Sequence, residues 1–302
     1  MLSVSIPVYN VAVAGLLAAL TNEIKRKQLP IEIVLIDDCS SSRIKALNEP
    51  VCSSHTYITL LQNVGRARIR NLFTQYAHYD YLLFLDCDSL IDNPDFLETY
   101  LYHIETAQPE VICGGRRYPA LCPSRQTRLS WRYGRECESQ SVAQRNQQPN
   151  RSFMTNNFVI KKSLLQQIPF DERITDYGHE DTLLGFLLAQ RHIVIQHIDN
   201  ETVNNDIETN MHFLTKSETA IQNLRYILDF VEDKTQFIES VTLLRYGAHL
   251  ARYPARLKLI QMLFRLAKPF LRWSFMHGFV SLTLFNFYKL GYWLTIIKCA
   301  KR

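Results

Sequence analysis

No aspartate or glutamate follows Glu239. Of the 34 Lys and Arg in this 302-residue chain, 11 stand in residues 241–302, which leaves 23 against all 29 acids in the rest. An acidic body thus carries a basic tail, an asymmetry that speaks of a partner and not of a fold. The seven cysteines (Cys39, Cys52, Cys87, Cys113, Cys122, Cys137 and Cys299) are odd in number and scattered. No pair has metal-ligand spacing, and reduced thiols of a cytosolic protein are expected. No glycine-rich turn follows the first apolar stretch, which runs into "PVYN", so a dinucleotide fingerprint and a P-loop are both excluded. The Gly114–Gly115 pair comes too late and is too short to replace either. Internal repeats and low-complexity tracts are missing. No signal peptide is expected, because "LSVSIPVY" reads as a strand from residue 2.

What is present is an ordinary globular composition, long enough to bury a sizeable core. Near-continuous apolar runs at 2–9, 31–37, 56–62 and 81–86 alternate with amphipathic stretches at 12–28, 39–47 and 65–77. That alternation predicts an α/β fold whose mainly parallel sheet is covered by helices on both faces. Further along, residues 153–162 and 192–199 read as strands, and 178–190 and 215–236 as helices.

The segment "YLLFLDCDSLIDNP" (81–94) then poses a physical question, because a buried strand ends on two like charges, Asp86 and Asp88. In open α/β sheets ligands sit in the crevice beyond the carboxyl ends of the strands. Tyr9 and Asn10 follow the first strand, Asp37 and Asp38 end the second, and Asp86 and Asp88 end the fourth. Carboxylates so placed repel unless a cation lies between them. A hard divalent ion, Mg²⁺ or Mn²⁺, takes oxygen ligands and bridges carboxylates to substrate phosphates. With no loop of backbone amides at hand, the charge of a diphosphate would be met by metal.

"VSIPVYN", "VLIDDCSSS", "NVGRARIRN", "LFLDCD" and "YGHEDTLLGFLL", in this order and spacing, resemble a family 2 glycosyltransferase of the GT-A fold. The resemblance covers roughly residues 2–230, and residues 155–185 are similar to a bacterial polysaccharide-type subgroup. It implies that Pro7, Tyr9 and Asp38 line the nucleotide base, with Asp38 accepting from the uracil N3–H, and that Arg70 lies near base and phosphates. It implies further that Asp86 sits at the ribose and the metal, that Asp88 ligates the metal directly, and that Asp181 is the general base. Glu180, Asn156 and Asn157 would hold the acceptor. The chemistry supports these roles independently. An inverting transfer needs one base within reach of the incoming hydroxyl, and charge stabilisation where the nucleoside diphosphate departs. Two departures from the family pattern stand out. Many relatives carry a histidine that completes the metal site, where "HIDNETVNND" offers Asn204 or Asp206, with His197 and His212 to either side. The aromatic often found just before "ED" is replaced by "YGH".

In the tail, Lys258, Arg265 and Arg272 recur every seven residues with Gln261 and Lys268 between them, a basic stripe on an otherwise apolar helix that Pro269 should kink. Residues 273–288 carry no Lys, Arg, Asp or Glu, but a bilayer span wants about 20 residues. An interfacial helix on an anionic cytoplasmic leaflet is therefore expected, with packing on the catalytic domain as the alternative. No nucleic-acid recognition motif accompanies the basic residues. The organisation expected is a nucleotide-sugar-binding half (1–110), an acceptor-binding and catalytic half (111–240) and a membrane-associated tail (241–302). The function expected is inverting, metal-dependent transfer of a hexosyl or N-acetylhexosaminyl group from a nucleotide sugar, UDP-linked, to a glycan or lipid-linked hydroxyl. That places the protein in surface polysaccharide synthesis, peripheral on the inner face of the cell membrane. The alternatives are a nucleotidyltransferase, which lacks the "ED" helix and usually has a glycine-rich lysine loop after strand one, and a non-catalytic membrane-docked assembly factor.

Overall fold

The computed structural model describes residues 1–204 and 206–299, with the side chains of Lys298 and Cys299 left out. Asn205 and residues 300–302, which include two cations of the basic tail, lie outside the described residues, and so does the side chain of Cys299, one of the expected thiols. The chain forms two compact units. One comprises Met1–Pro119, Glu138–Thr175 and Leu183–Asp206; the other comprises Ala120–Cys137, Asp176–Thr182 and the chain from Ile207 onward.

The first unit is built on a seven-stranded sheet. Its strands are β1 (Leu2–Val8), β2 (Ile31–Asp37), β3 (Thr56–Thr59), β4 (Tyr81–Leu85), β6 (Val111–Cys113), β8 (Asn157–Lys161) and β9 (Gln196–His197). Their order is β3-β2-β1-β4-β8-β6-β9. All neighbours run parallel except that β8 is antiparallel to both β4 and β6. The α/β expectation from the alternating pattern therefore holds, and the reason is visible in burial. Strand β4 is buried at every position and β1 at all but Pro7, as strands covered on both faces must be. One face carries Leu16, Leu17 and Leu20 of helix Ala14–Lys27 with Phe96, Tyr100 and Ile104 of helix Phe96–Ala107. The other carries Ile69 and Phe73 of helix Arg66–Tyr76, and Leu184 and Leu188 beyond β8. A small second sheet, β5 (Ser89–Leu90), β10 (Thr202–Asn204) and β7 (Arg116–Arg117) in the order β5-β10-β7, was not legible as strands. Of the run 192–199 only Gln196–His197 pairs as strand.

The second unit is helical. Helices Arg128–Tyr133, Asn210–Phe230, Lys234–Ser240, Thr242–Ala251, Pro254–Met276 and Leu282–Cys299 make it up, and Leu129, Leu214, Phe264, Leu271, Phe275, Phe285 and Tyr288 form its core. Helix Pro254–Met276 is one continuous element with Pro269 inside it. Residues 176–182 belong here, so the "ED" helix Glu180–Gln190 starts in this unit and continues in the first.

Candidate active site

Three chain crossings at the carboxyl ends of β1, β2 and β4 are tied to one another by hydrogen bonds, and this brings Tyr9, Asn10, Asp38, Asp86 and Asp88 to one rim. After β1, Tyr9 is exposed and Asn10 adopts a left-handed conformation at φ 55°, which Asn tolerates better than most residues. The Asn10 amide donates to Ser40 Oγ at 2.8 Å, and Asn10 Oδ1 accepts from the Ser41 amide at 2.9 Å. Asp37 is fully buried, with Oδ1 accepting from the Ser40 amide at 2.7 Å and Oδ2 from the Tyr57 hydroxyl at 3.2 Å. It braces the loop and does not face the crevice. Asp38 accepts from the Val64 and Gly65 amides at 2.7 and 3.1 Å. These bonds fix the turn in which Gly65, at φ +84°, precedes helix Arg66–Tyr76. Burial holds the Asp38 carboxyl above its ordinary range, against the pull of those two amides. Pro7 lies within β1, opposite Ile36.

The two aspartates after β4 differ in kind. Asp86 is held from below. Arg70, only 2% exposed, donates through Nη2 to Asp86 Oδ1 at 3.1 Å and through Nη1 to the Arg66 carbonyl at 3.0 Å, while Arg66 approaches the same carboxylate at 3.9 Å. Its guanidinium also lies 5.8 Å from the centre of the Phe170 ring. Arg70 therefore acts on Asp86 from within the core and presents no open face to a nucleotide. Asp88 as a residue keeps exposure to solvent, while its carboxyl sits against neighbouring groups. Desolvation by its surroundings, then Asp86 and more weakly Asp206, hold its carboxyl above the usual range, opposed by Arg116. Between them Cys87 is pushed up to about 12 by burial and by Asp88, so it is a neutral thiol that accepts from the Tyr9 amide and links this loop to the first.

Sequence reasoning missed Arg116, Tyr118 and Glu138. The Arg116 guanidinium reaches Glu138 at 3.5 Å and lies 5.3 Å from the Tyr118 ring centre, and the Tyr118 hydroxyl donates to Glu138 at 2.5 Å. Burial opposes its charge, yet Tyr118, Glu138, Asp86 and Asp88 together keep it firmly protonated. Only its place beside the glycine pair in "GGRRYP" marked it, and no periodicity or motif did.

The asparagines divide as well. Asn157 is fully buried. Its Oδ1 accepts from the Tyr100 hydroxyl at 2.6 Å, and its Nδ2 donates to the Gly115 and Asn200 carbonyls at 3.0 and 2.8 Å. It supports the sheet and has no hydrogen left for an acceptor. A side chain at Gly114 would meet Tyr100, Asn200 and Asn157 within 2.6 Å, and one at Gly115 would meet the Arg145 guanidinium at 2.8 Å. The glycine pair therefore exists for close packing. Asn156 gives its backbone carbonyl to the Asp86 amide at 3.0 Å and its Nδ2 to Thr202 at 3.2 Å, while its buried Oδ1 has no partner. His197 is structural: its Nε2–H meets the Pro149 carbonyl at 2.9 Å and its Nδ1 accepts from Arg145 at 3.0 Å.

A metal site can be tested against this geometry. Among the described residues no three His, Cys, Asp or Glu side chains are grouped as an all-protein cage requires. The oxygen donors nevertheless fit a hard cation that shares its shell with phosphates. Asn204 Oδ1 is buried and accepts no hydrogen bond, and the antiparallel pairing of β10 with β5 sets Asn204 opposite Ser89, next to Asp88. Asp206 lies close enough to raise the Asp88 carboxyl.

In the second unit the "ED" turn is strained and firmly held. Gly178 and His179 both have positive φ, +103° and +70°, and a Cβ on Gly178 would lie 2.6 Å from the Ala220 Cβ. Asn223 Nδ2 donates to the Tyr177 and Gly178 carbonyls at 3.1 and 3.2 Å, so helix Asn210–Phe230 carries the turn. His179 Nδ1 meets Thr182 Oγ1 at 3.0 Å, and burial lowers its pKa to about 4. Asp181 Oδ1 accepts from the Thr182 amide at 2.6 Å; Glu180 is buried and Asp181 half-buried.

Comparison with known proteins bears on the fold and on the family. Chondroitin synthase of Escherichia coli is 24% identical over 292 residues, covering 81% of this chain and 41% of that protein. The chain spans less than half the length of the curated relatives it matches. Among solved structures, mannosyltransferase PcManGT from Pyrobaculum calidifontis, in complex with GDP-Man and Mn²⁺, superposes with a TM-score of 0.54 at 14% identity, over 97% of this chain and 87% of that one. S. aureus TarS gives 0.52 at 17% identity, over 82% of this chain and 43% of that one. At such identities the likeness speaks to the fold, and the fold is GT-A. A family model described as glycosyl transferase family 2 matches residues 3–169, the stretch that holds all three rim loops and the first four of the sequence motifs. On that match, over more than half of its length, the chain belongs to glycosyl transferase family 2.

Proposed function

We propose that the chain is an inverting, metal-dependent glycosyltransferase that moves a hexosyl or N-acetylhexosaminyl group from a UDP-sugar to a hydroxyl of a glycan or lipid-linked acceptor. Its setting would be surface polysaccharide synthesis at the inner face of the cell membrane. The observation that carries the reading is the unequal pair at the end of β4, where Asp86 is pinned by the buried Arg70 and Asp88 stands among further acids. A relative solved with GDP-Man and Mn²⁺ supports a nucleotide sugar and a divalent ion as the occupants.

In this reading residues 1–110 bind the donor, 111–240 the acceptor, and 241–302 the membrane. Asp88 and Asp86 would hold Mn²⁺ or Mg²⁺, with Asn204 Oδ1 or Asp206 as the third protein oxygen. When bound, such an ion neutralises the charge that develops on the departing diphosphate. Tyr9 offers an exposed ring for the base, Pro7 shapes the floor beneath it, and Asp38 accepts from the uracil. Arg70 acts as a positioning residue for Asp86. Arg116 offsets part of the carboxylates' negative charge before donor arrives.

On the acceptor side, Asp181 takes the proton from the acceptor hydroxyl as that oxygen bonds to the anomeric carbon. The bond from that carbon to the diphosphate oxygen breaks, the electron pair leaves with UDP, and the configuration inverts. Glu180 and Asn156 orient the acceptor, and Asn157 supports Asn156 from the core. A nucleotidyltransferase reading has no lysine loop after β1 to rest on. The test is UDP release from a panel of nucleotide sugars with Mn²⁺, with and without oligosaccharide acceptors. Turnover of one UDP-sugar supports the reading; release of pyrophosphate, or no turnover with any donor, overturns it.

A further inference from the structure

The largest unexplained feature of the second unit is the outer face of helix Pro254–Met276. Its inner face is accounted for: Gln261, Phe264, Leu271 and Phe275 are buried, and Gln261 Nε2 donates to the Leu294 carbonyl at 2.8 Å. Leu259, Met262, Leu263, Leu266, Phe270 and Trp273 instead are all exposed, Leu266 to 72% and Phe270 to 65%. Their spacing of three and four places them on one side of the helix, a strip about 20 Å long at 1.5 Å per residue. At its C-terminal end the strip widens into exposed aromatics. Trp273 stacks on Phe270 and on Phe279 with centroids 6.3 and 6.0 Å apart, and the Arg125 guanidinium caps Phe279 at 4.3 Å. An apolar area of this kind on a protein surface needs an occupant.

The rim of the strip identifies the occupant. Arg256, Lys258 and Arg265 flank it and are exposed, and no acid occurs anywhere in residues 240–302 to pair with them. Two copies laid face to face would set cations against cations. No helix among the described residues is long and apolar enough to cross a membrane. We propose that this face lies flat on an anionic lipid bilayer, with the apolar strip and the Phe270–Trp273–Phe279 group in the headgroup–acyl boundary and Arg256, Lys258 and Arg265 on the acidic headgroups. The proposal rests on the membrane placement given above and makes it specific.

It also redraws the expectation from sequence. Of the basic stripe, Arg272 is paired with Glu218 at 2.5 Å and with the Tyr288 hydroxyl at 3.2 Å, Gln261 is buried, and Lys268 lies over the Tyr292 ring. Only Lys258 and Arg265 remain outward. The uncharged run 273–288 likewise splits: Phe275, Phe285 and Tyr288 are core, while Trp273 and Phe279 face out.

The test uses the full chain and vesicles of phosphatidylcholine with or without phosphatidylglycerol, read by co-sedimentation and by quenching of Trp273 fluorescence with brominated lipid. Binding to the anionic vesicles is expected, with quenching that W273F removes. Replacing Phe270, Trp273 and Phe279 by Ser should lower partitioning at least tenfold at low and at high salt. R256Q/K258Q/R265Q should lower it about fivefold per charge on anionic vesicles and change nothing on neutral ones. UDP release with a soluble acceptor should be the same in all variants, so failure of the catalytic reading shows separately. A chain that ignores both vesicles overturns the proposal, and dimerisation abolished by the Ser variant would assign the face to a second copy.

Discussion

Removing Arg70 should damage the donor side from underneath. Arg70 is 2% exposed, whereas the Asp86 side chain it holds is 21% exposed, so Arg70→Met leaves a partly buried carboxylate without its main counter-charge. Breaking a buried ion pair from one side costs about 3–5 kcal/mol, most of it the stranded charge. Here water reaches part of Asp86 and Arg66 stands 3.9 Å away, so a loss of about 2–3 kcal/mol is expected. Arg70→Met also loses the bond to the Arg66 carbonyl and the contact with Phe170, which have nothing to do with Asp86. A double-mutant cycle separates the two parts. With Asp86→Asn as the second change, the unrelated losses cancel, and a coupling of about 1–2 kcal/mol should remain. Urea unfolding of the four proteins measures it. Additivity to within about 0.5 kcal/mol would refute the claim that Arg70 serves Asp86.

Asp181→Asn is expected to keep UDP affinity and lose transfer by at least about a hundredfold, the usual scale for a general base; single-turnover kinetics beside a UDP titration decide it, and unchanged rates would move the role to Glu180. His179 should make the fold acid-sensitive. Its folded pKa of about 4 lies below the unfolded value near 6.5, so between these pH values the unfolded chain binds the extra proton and stability falls as pH drops. The ring is half-buried, which limits the loss to about 1–3 kcal/mol. His179→Asn, which tolerates the positive φ, should remove that share of the slope; an unaltered slope in urea unfolding from pH 6.5 to 4 would contradict it.

The sheet was legible because its strands carry their own signal. "LSVSIPV", "IEIVLID" and "YLLFL" are apolar almost throughout, and a strand buried on both faces can read no other way. The reversed direction of β8 was not, since no residue in "NFVIK" encodes which way a strand runs. Two-residue strands such as Ser89–Leu90 and Arg116–Arg117 are set by what lies beside them and leave no periodicity. At the site, Asp86 and Asp88 stood out because charge ending an apolar run is anomalous. Arg116 stood in no motif, and its meaning comes only from the pairing of β7 with β10, which brings it toward carboxylates about thirty residues earlier. Asn157 was misleading for the opposite reason. Polar residues beside a predicted strand end look like site residues, yet this one satisfies the backbone around Gly114 and Gly115.

The most direct measurement is calorimetric titration of UDP into the wild-type chain and Asp88→Asn, each with Mn²⁺ and with EDTA. Binding that needs Mn²⁺ in the wild type and is absent from Asp88→Asn under both conditions is the expected result. Equal affinity with and without metal, or an Asp88→Asn protein that binds like the wild type, would contradict a metal-held diphosphate at the end of β4.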